Sequence, residues 1–443
     1  MISINVLGII WFILVLYSFS RKIDYTIMLT VVSIIFQVSL FVAIGNVRIS
    51  IFEMSAFLLI FRYFILAKGK LVFSKTLKNF LIVALLFFII SIIDGMLFEG
   101  YEIKLYAEYM GLYRIGTEKL SMDYSLIIAL FRFTLYGIVY EVISCHVKRN
   151  NICVNDRNML NTLRLAIYIV CIVGLIQILT SNGYLNLNSF MTVIHDERMG
   201  AASAYYANYI RLFSTFAEPS YCAPWLNAAL WAMVYCRENI NKLEKRILIV
   251  ILSIEFILSA SATGYLAMIV MLLYYVYTNR SKKSFLVVVF LVFSAIIWMT
   301  ITPMGKEILL YINDKATSTS GLSRFAYIQD CYRVFAETHL MGLGYMQIKC
   351  MTLLSGLFAQ VGLIGTIVFC RMIVYLIRNN KRNTNAQRVS YVFFITMLIG
   401  SEISCSGLAY LATFWFAFLL LSMTNYHVSK IVIESVEDEV ANV

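Results

Sequence analysis

Thirteen apolar stretches, each bounded by charged or turn-rich residues, fill most of this 443-residue chain. They fall at 3–20, 26–45, 51–67, 80–98, 124–143, 162–180, 221–236, 247–260, 264–278, 284–301, 353–377, 389–404 and 407–424. A helix needs about 20 apolar residues to cross the hydrocarbon of a bilayer. Runs of this length and number predict an all-α, polytopic integral membrane protein with about 12–13 transmembrane helices. Composition agrees: 61% of residues are hydrophobic and 14% charged, whereas soluble domains run near half and a quarter. A soluble enzyme, a nucleic-acid-binding domain and a secreted disulfide scaffold are thereby excluded. Two junctions are ambiguous. The stretches 247–260 and 264–278 are parted only by Ser261-Ala262-Thr263, and 389–404 is parted from 407–424 by Cys405-Ser406. Each pair reads either as two complete helices or as a re-entrant pair, which requires protein rather than lipid around the broken backbone.

The net charge of +11 would hint at nucleic acid in a soluble chain. Here the cations sort by loop. Arg21 and Lys22, then Lys68, Lys70, Lys75 and Lys78, then Lys148, Arg149 and Arg157 occupy alternate connections. The series continues with Arg237, Lys242, Lys245 and Arg246, then Arg280, Lys282 and Lys283, then Arg378, Lys381, Arg382 and Arg388. These loops are expected to face the cytoplasm. Three long connections, 99–123, 181–220 and 302–352, carry mixed charge with many Tyr, Asn, Gly and Ser. By parity they face the other side, and the latter two are the large extracytoplasmic loops, expected to contain short helices. The whole of 1–443 reads as one transmembrane domain, with 428–443 a short disordered cytoplasmic tail.

The N-terminus has no basic segment and no small-residue cleavage site, so it reads as a first span and not a signal peptide. The nine cysteines form no CxxC pair and read as small core residues. No His cluster or Asp-x-Asp pattern points to a catalytic metal; His146, His195, His339 and His427 are scattered. Ionisable residues inside the apolar stretches are Glu53, Arg62, Asp94, Arg132, Glu141, Glu255, Arg371 and Glu402. Structural pairing between neighbouring helices is the simpler reading for each, with Arg132 and Glu255 the two that could line a cavity.

The long loops carry more specific signals. The segment Arg211-Leu212-Phe213-Ser214-Thr215-Phe216-Ala217-Glu218-Pro219-Ser220 runs straight into a span at Tyr221. Pro219 and Ser220 suit a helix start, and a helix N-terminus there would face an anion favourably. The alternative is that Glu218 caps its own helix and Arg211 is a solvated or headgroup-binding charge. In the next large loop, Ser320-Gly321-Leu322-Ser323-Arg324-Phe325 is followed by Arg333 and then His339-Leu340-Met341-Gly342-Leu343-Gly344-Tyr345. Arg324 and Arg333 lie nine residues apart, about 900° on one helix, hence on opposite faces unless the helix bends. Gly342 and Gly344 mark a tight turn that lets backbone approach a ligand. Guanidinium groups bind phosphate in bidentate fashion at any working pH. Arginines on two loops of one membrane face therefore suit a lipid-linked phosphate or diphosphate.

At these residues the chain resembles the bacterial O-antigen polymerase and ligase superfamily, the Wzy-type polysaccharide polymerases and their relatives. Four pieces carry the resemblance, in order over roughly 195 to 370: Phe216-Ala217-Glu218-Pro219-Ser220 within the Arg211 segment; Ser259-Ala260-Ser261-Ala262-Thr263-Gly264 between two short spans; the Arg324-to-Gly344 segment; and Leu353 to Gly365, ending Ala359-Gln360-Val361-Gly362-Leu363-Ile364-Gly365. Arg333 and Gly344 match the family spacing of Arg, ten residues, Gly. In the first loop both Arg198 and Arg211 are available, no glycine sits at the family distance, and Arg211 ranks first. Ligases of the superfamily carry a His just before the span after the second loop, but here Gln347-Ile348-Lys349-Cys350-Met351-Thr352 has none, which favours a polymerase.

The resemblance implies a metal-independent, cofactor-free glycosyltransferase of the bacterial inner membrane. It would transfer an undecaprenyl-diphosphate-linked glycan onto the non-reducing end of another lipid-linked repeat unit, in O-antigen (lipopolysaccharide), capsule or exopolysaccharide synthesis. The implied partners are the undecaprenyl-diphosphate-linked oligosaccharide, the lipid bilayer and a polysaccharide chain-length regulator, with no nucleic acid. Arg211 and Arg333 with Glu218 are the candidate catalytic residues, Glu218 as general base; Arg198, Arg211, Arg324, Arg333, Gly342 and Gly344 are the candidate diphosphate and glycan contacts. The trio His195-Asp196-Glu197 is an alternative source of the base. A lipid-linked oligosaccharide flippase or other transporter is the competing function from a different class, and an O-antigen ligase the competing one within the superfamily.

Overall fold

A computed structural model describes residues 2–36, 38–45, 47–66, 75–100, 102–103, 118–119, 124–196, 205–206, 209–237, 240–303, 305–306, 309–310, 319–345, 348, 350–380, 382–404 and 411–425. Each of the thirteen apolar stretches carries a helix: α1 (Val6–Ser18), α2 (Ile23–Val32, extended by a 3-10 turn Ser33–Ile35), α3 (Ile51–Leu66), α4 (Lys75–Leu97), α5 (Tyr124–Val147), α6 (Ile152–Ser181), α8 (Pro219–Tyr235), α9 (Lys242–Leu258), α10 (Ala262–Asn279), α11 (Lys282–Ile301), α13 (Leu353–Asn379), α14 (Asn385–Ile403) and α15 (Ala412–Ser422). Two further helices among the described residues belong to the large loops: α7 (Asn188–Ile194) and α12 (Thr319–Glu337). Among the described residues, four helical segments are long and apolar enough by themselves to cross a membrane, namely Leu77–Leu97, Leu126–Val147, Ile152–Ser181 and Leu353–Asn379.

Two expectations need correcting. The stretch 26–45 is not one span: the helix stops at Ile35, and Leu40–Ile44 is strand β2. It pairs antiparallel with β1 (Ile2–Ile4) and β3 (Val47–Ser50). An unbroken apolar run does not distinguish a buried strand from a helix, and Leu40-Phe41-Val42-Ala43-Ile44 is such a run. The second large loop, moreover, holds a 19-residue helix, α12, rather than only short ones. The junction 259–261 joins two complete helices, α9 and α10. Residues 405–410, Arg198 and the tail 428–443 lie outside the described residues.

The centre is α15. All eleven of its residues are buried, as expected of a helix with no polar face. Trp415 stacks on Tyr136 of α5 at 4.4 Å between ring centroids, and Phe418 lies 4.6 Å from Tyr140. Helix α8 is buried along most of its length because its neighbours present glycines. A Cβ on Gly400 of α14 would come within 2.7 Å of the Pro224 side chain, and one on Gly264 of α10 within 2.5 Å of Ala223. Small residues at such crossings let backbones approach in a bilayer, where packing rather than water exclusion holds helices together. The β1–β3 sheet caps the side of the long loops. Asn5 Nδ2 donates to the Val193 carbonyl (2.9 Å), and Ser39 Oγ to the Ile194 carbonyl (2.7 Å), fastening α7 to it.

Candidate functional site

The Arg211–Ser220 segment has no helical or strand ladder between Arg211 and Glu218, yet Leu212 to Phe216 are buried. Buried backbone must find hydrogen-bond partners, and here a helix side chain supplies them. Gln177 of α6 accepts the N–H groups of Phe213 (3.1 Å) and Ser214 (2.8 Å) at Oε1 and donates from Nε2 to the Arg211 carbonyl (3.2 Å). Ser214, at a φ of +48°, donates its hydroxyl to the Val170 carbonyl (2.6 Å). The end of α9 provides the rest. Leu212 N–H donates to the Leu258 carbonyl (3.1 Å), and Arg211 Nε to the Ser259 carbonyl (3.3 Å). Carbonyls at a helix C-terminus attract a cation because they lack intrahelical donors.

The Ser259–Gly264 turn therefore meets the Arg211 segment. Ser259, Ala260 (φ +43°) and Ser261 form the α9–α10 turn, Ser261 and Thr263 hydroxyls hydrogen-bond at 2.8 Å, and Gly264 packs on Ala223 just inside α8. Glu218 stands at the N-cap of α8 with Pro219 in the first helical position, but its side chain makes no capping bond. It accepts from Ser220 Oγ instead and makes no ion pair among the described residues. Of the alternative trio, His195 donates from Nε2 to the Ser214 carbonyl, and burial pushes its imidazole down to about 4. That nitrogen is committed to structure. Asp196 is buried, its N–H bonded to the Val38 carbonyl (3.1 Å), and Glu197 lies outside the described residues.

The third and fourth pieces form a second unit. Helix α12 is continuous, so Arg324 and Arg333 project from opposite faces and do not converge. Arg333 Nη2 lies 3.2 Å from Asp330 Oδ1 and its Nε 3.8 Å from Glu337 Oε1. Arg324 Nη1 is buried with no hydrogen-bond partner among the described residues. Beyond Glu337, Thr338 Oγ1 accepts from Gly342 N–H (2.9 Å), and His339, Leu340, Gly342 and Gly344 all have positive φ.

This turn fits into a break in α13. At Gly362 the backbone leaves helical geometry (φ +63°, ψ −167°), a region open essentially only to glycine. The break frees two carbonyls and an N–H. The Ala359 carbonyl accepts from Leu343 N–H and the Gln360 carbonyl from Gly344 N–H, each at 2.9 Å, while Leu363 N–H donates to the Leu340 carbonyl, also at 2.9 Å. A Cβ on Gly342 would lie 2.9 Å from both the Ala359 carbonyl oxygen and the Gly362 nitrogen, and one on Gly362 would collide with the Leu340 and Met341 carbonyls. Both glycines are required by this close approach. Broken helix at membrane depth is tolerated when protein satisfies its backbone, and the loop does so here. Ser91 of α4 locks the turn by accepting Tyr345 N–H (2.8 Å).

Helix α14 touches both units at one end: Gly400 packs on Pro224 of α8, and Glu402 Oε2 accepts from Leu354 N–H (2.9 Å) at the start of α13. Among charges inside the apolar stretches, Arg132 pairs with Glu53 at 2.5 Å. Arg62 donates to the Ser18 carbonyl (2.8 Å) and to Thr26 and the Arg21 carbonyl. Both oxygens of Asp94 and Oε2 of Glu255 are buried without a hydrogen-bond partner among the described residues. Gln177, Ser91, Asp330 and Glu337 escape sequence reasoning. For Gln177 the available signal is a lone amide within an apolar run.

Among the described residues no group of three or more His, Cys, Asp or Glu could hold a metal ion. No protein-family model matches the chain, and no curated protein matches it.

Proposed function

We propose that the protein is a polysaccharide polymerase of the bacterial inner membrane, transferring an undecaprenyl-diphosphate-linked glycan onto the non-reducing end of another lipid-linked repeat unit. The observation that supports this most is the seating of two arginine-bearing loop segments on membrane helices. Arg211–Glu218 rests on α6 and α9, the Gly342–Gly344 turn fills the α13 break, and α14 touches both units.

In the proposed reaction the bond between the donor's anomeric carbon and the diphosphate oxygen breaks. A bond from the acceptor hydroxyl oxygen to that carbon forms, the bonding pair leaves with the diphosphate, and the hydroxyl proton passes to Glu218. Arg211 and Arg333 offset the charge developing on the leaving group, a preorganised electrostatic effect. Asp330 and Glu337 lie at ion-pair distance from Arg333. Because Arg324 faces the other way, Arg333 is assigned to the diphosphate and Arg324 to a separate contact.

The transporter reading draws on the broken α13 and on Asp94, whose two oxygens are buried without a hydrogen-bond partner among the described residues, since discontinuous helices and buried carboxylates mark many transport sites. Against it, the break is filled by the chain's own turn rather than lining an open path. The test is Arg333→Ala in purified protein supplied with a lipid-linked repeat unit. Polymerisation is expected to fall about 100-fold or more, with Arg324→Ala milder; wild-type chain lengths from Arg333→Ala would remove Arg333 from the site.

A further inference from the structure

Helix α12 packs one face on the protein and leaves another bare. Ala326, Asp330, Cys331 and Val334 are buried, and the Phe335 ring lies 4.8 Å from that of Phe358 in α13. Phe325, Gln329, Tyr332 and Ala336 are all exposed, Phe325 at 59% and Tyr332 at 45%. At 100° per residue these four fall within about 60° of arc, on the side opposite the buried set. Arg333 lies about 70° to one side of this stripe and Arg324 about 110° to the other. Aromatic side chains on one face with cations at its edges are the pattern of a helix lying in the plane of a membrane interface.

The bare stripe runs on into a surface that faces lipid. Leu340 and Met341, in the turn after α12, are exposed, and the Leu340 carbonyl accepts from Leu363 N–H (2.9 Å). Leu363, Ile364 and Ile367 of α13 are exposed in turn, on a helix long and apolar enough to span a bilayer. Tyr332 joins the two surfaces, its ring 6.3 Å from that of Phe358. Depth agrees with this continuity. Arg378 stands in the last turn of α13, and from there to Gly362 the rise is about 24 Å at 1.5 Å per residue, against about 30 Å of hydrocarbon. With Arg378 at one boundary, Gly362 therefore stands about 6 Å inside the other, and so does the 339–344 turn that fills the break. Helix α12 ends at Glu337, just before that turn, and so at the boundary.

We infer that α12 is an interfacial helix, its Phe325–Tyr332 face sunk into the lipid leaflet on the long-loop side and Arg333 held at the depth of the lipid phosphates. The partner is the boundary between acyl chains and headgroups. Phe buries its ring there, and Tyr keeps its hydroxyl at the polar level. An arginine stem covers apolar surface while its guanidinium stays among the headgroups. This placement requires only that α13 spans a bilayer, and not that the protein makes a glycan.

The test uses purified full-length protein in phosphatidylcholine nanodiscs doped with a phosphatidylcholine that carries a diazirine on the upper part of an acyl chain. After photolysis, mass spectrometry locates the labelled residues. Labels are expected at Phe325, Tyr332, Leu340 and Met341, and at Ile364 and Ile367, which calibrate the lipid face, but not at Asp330 or Val334. Phe325→Asp with Tyr332→Asp, both at exposed positions, should cut labelling of α12 about tenfold and leave that of Ile364 and Ile367 unchanged. Wild-type labelling decides the question even where that variant misfolds. Labels at Ile364 and Ile367 with none on α12 overturn the inference, whether hydroxyl-radical footprinting then finds the stripe wet or cross-linking finds it covered by a second copy of the chain.

Discussion

The two units seat irregular loop backbone against membrane helices by opposite means. In the first, one amide side chain, Gln177, serves three backbone groups of Arg211–Ser214 while the helix that carries it stays intact. In the second, no side chain mediates the central exchange: α13 breaks at Gly362 and its freed backbone pairs with residues 340–344. A side-chain clamp depends on one residue's chemistry, and a backbone exchange depends on the absence of side chains. The arginines differ in parallel. Arg211 leans on a helix-end carbonyl, whereas Arg333 is flanked by two carboxylates.

The contrast is most easily broken at Gly362. Gly362→Ala forces a Cβ into a glycine-only conformation and against two carbonyls. The expected cost is about 3 kcal/mol or more, read as a lower melting temperature and loss of monodisperse protein. Gly183→Ala also has positive φ but meets nothing within 4 Å, so about 1 kcal/mol is expected there. Equal melting of the two variants would contradict the exchange.

Lysine substitution tests the arginines on turnover rather than stability. Arg333→Lys should retain only a small part of the activity because lysine lacks the planar fork that matches a diphosphate. Arg211→Lys, at a position where the guanidinium Nε donates to the Ser259 carbonyl, should retain more, and kinetics in proteoliposomes would rank them. Gln177→Leu removes the clamp and leaves buried N–H and C=O groups unsatisfied, at about 2 kcal/mol. Faster proteolysis around 205–218 than in Gln177→Glu, which keeps the acceptor, is the sharper reading.

The smallest effect concerns pH. Folded His195 is held down to about 4 by burial, from an ordinary value of 6.5, so below the ordinary value the unfolded chain binds the proton that the folded chain refuses. The contribution is intact above that value and is lost as pH falls through the window toward 4. At about pH 5.5 the loss is about 1 kcal/mol, and His195→Gln should flatten the melting-temperature profile there.

Much of this architecture was legible beforehand. Apolar run length located thirteen of the fifteen described helices but neither loop helix, α7 or α12, and the nine-residue spacing put Arg324 and Arg333 on opposite faces of any unbroken helix. The pairing of the Arg211 segment with the Ser259–Gly264 turn, and of the 338–344 turn with the α13 break, was not legible, because it depends on which helix ends lie side by side. The α13 break was hidden because Gly362 sits in an apolar stretch whose composition suits a continuous helix. The strand at 40–44 was hidden for the related reason that hydropathy alone carries no period. Gln177 gave no sign of its role, since its three bonds reach 34 to 37 residues along the chain.

The most direct test is the glycan product of purified protein in proteoliposomes given an undecaprenyl-diphosphate-linked repeat unit and no divalent metal. A ladder of lengthening lipid-linked chains, collapsing to the single unit in Arg333→Ala, is the predicted result. Transfer of the intact lipid-linked unit across the bilayer, with no new glycosidic bond, would contradict it.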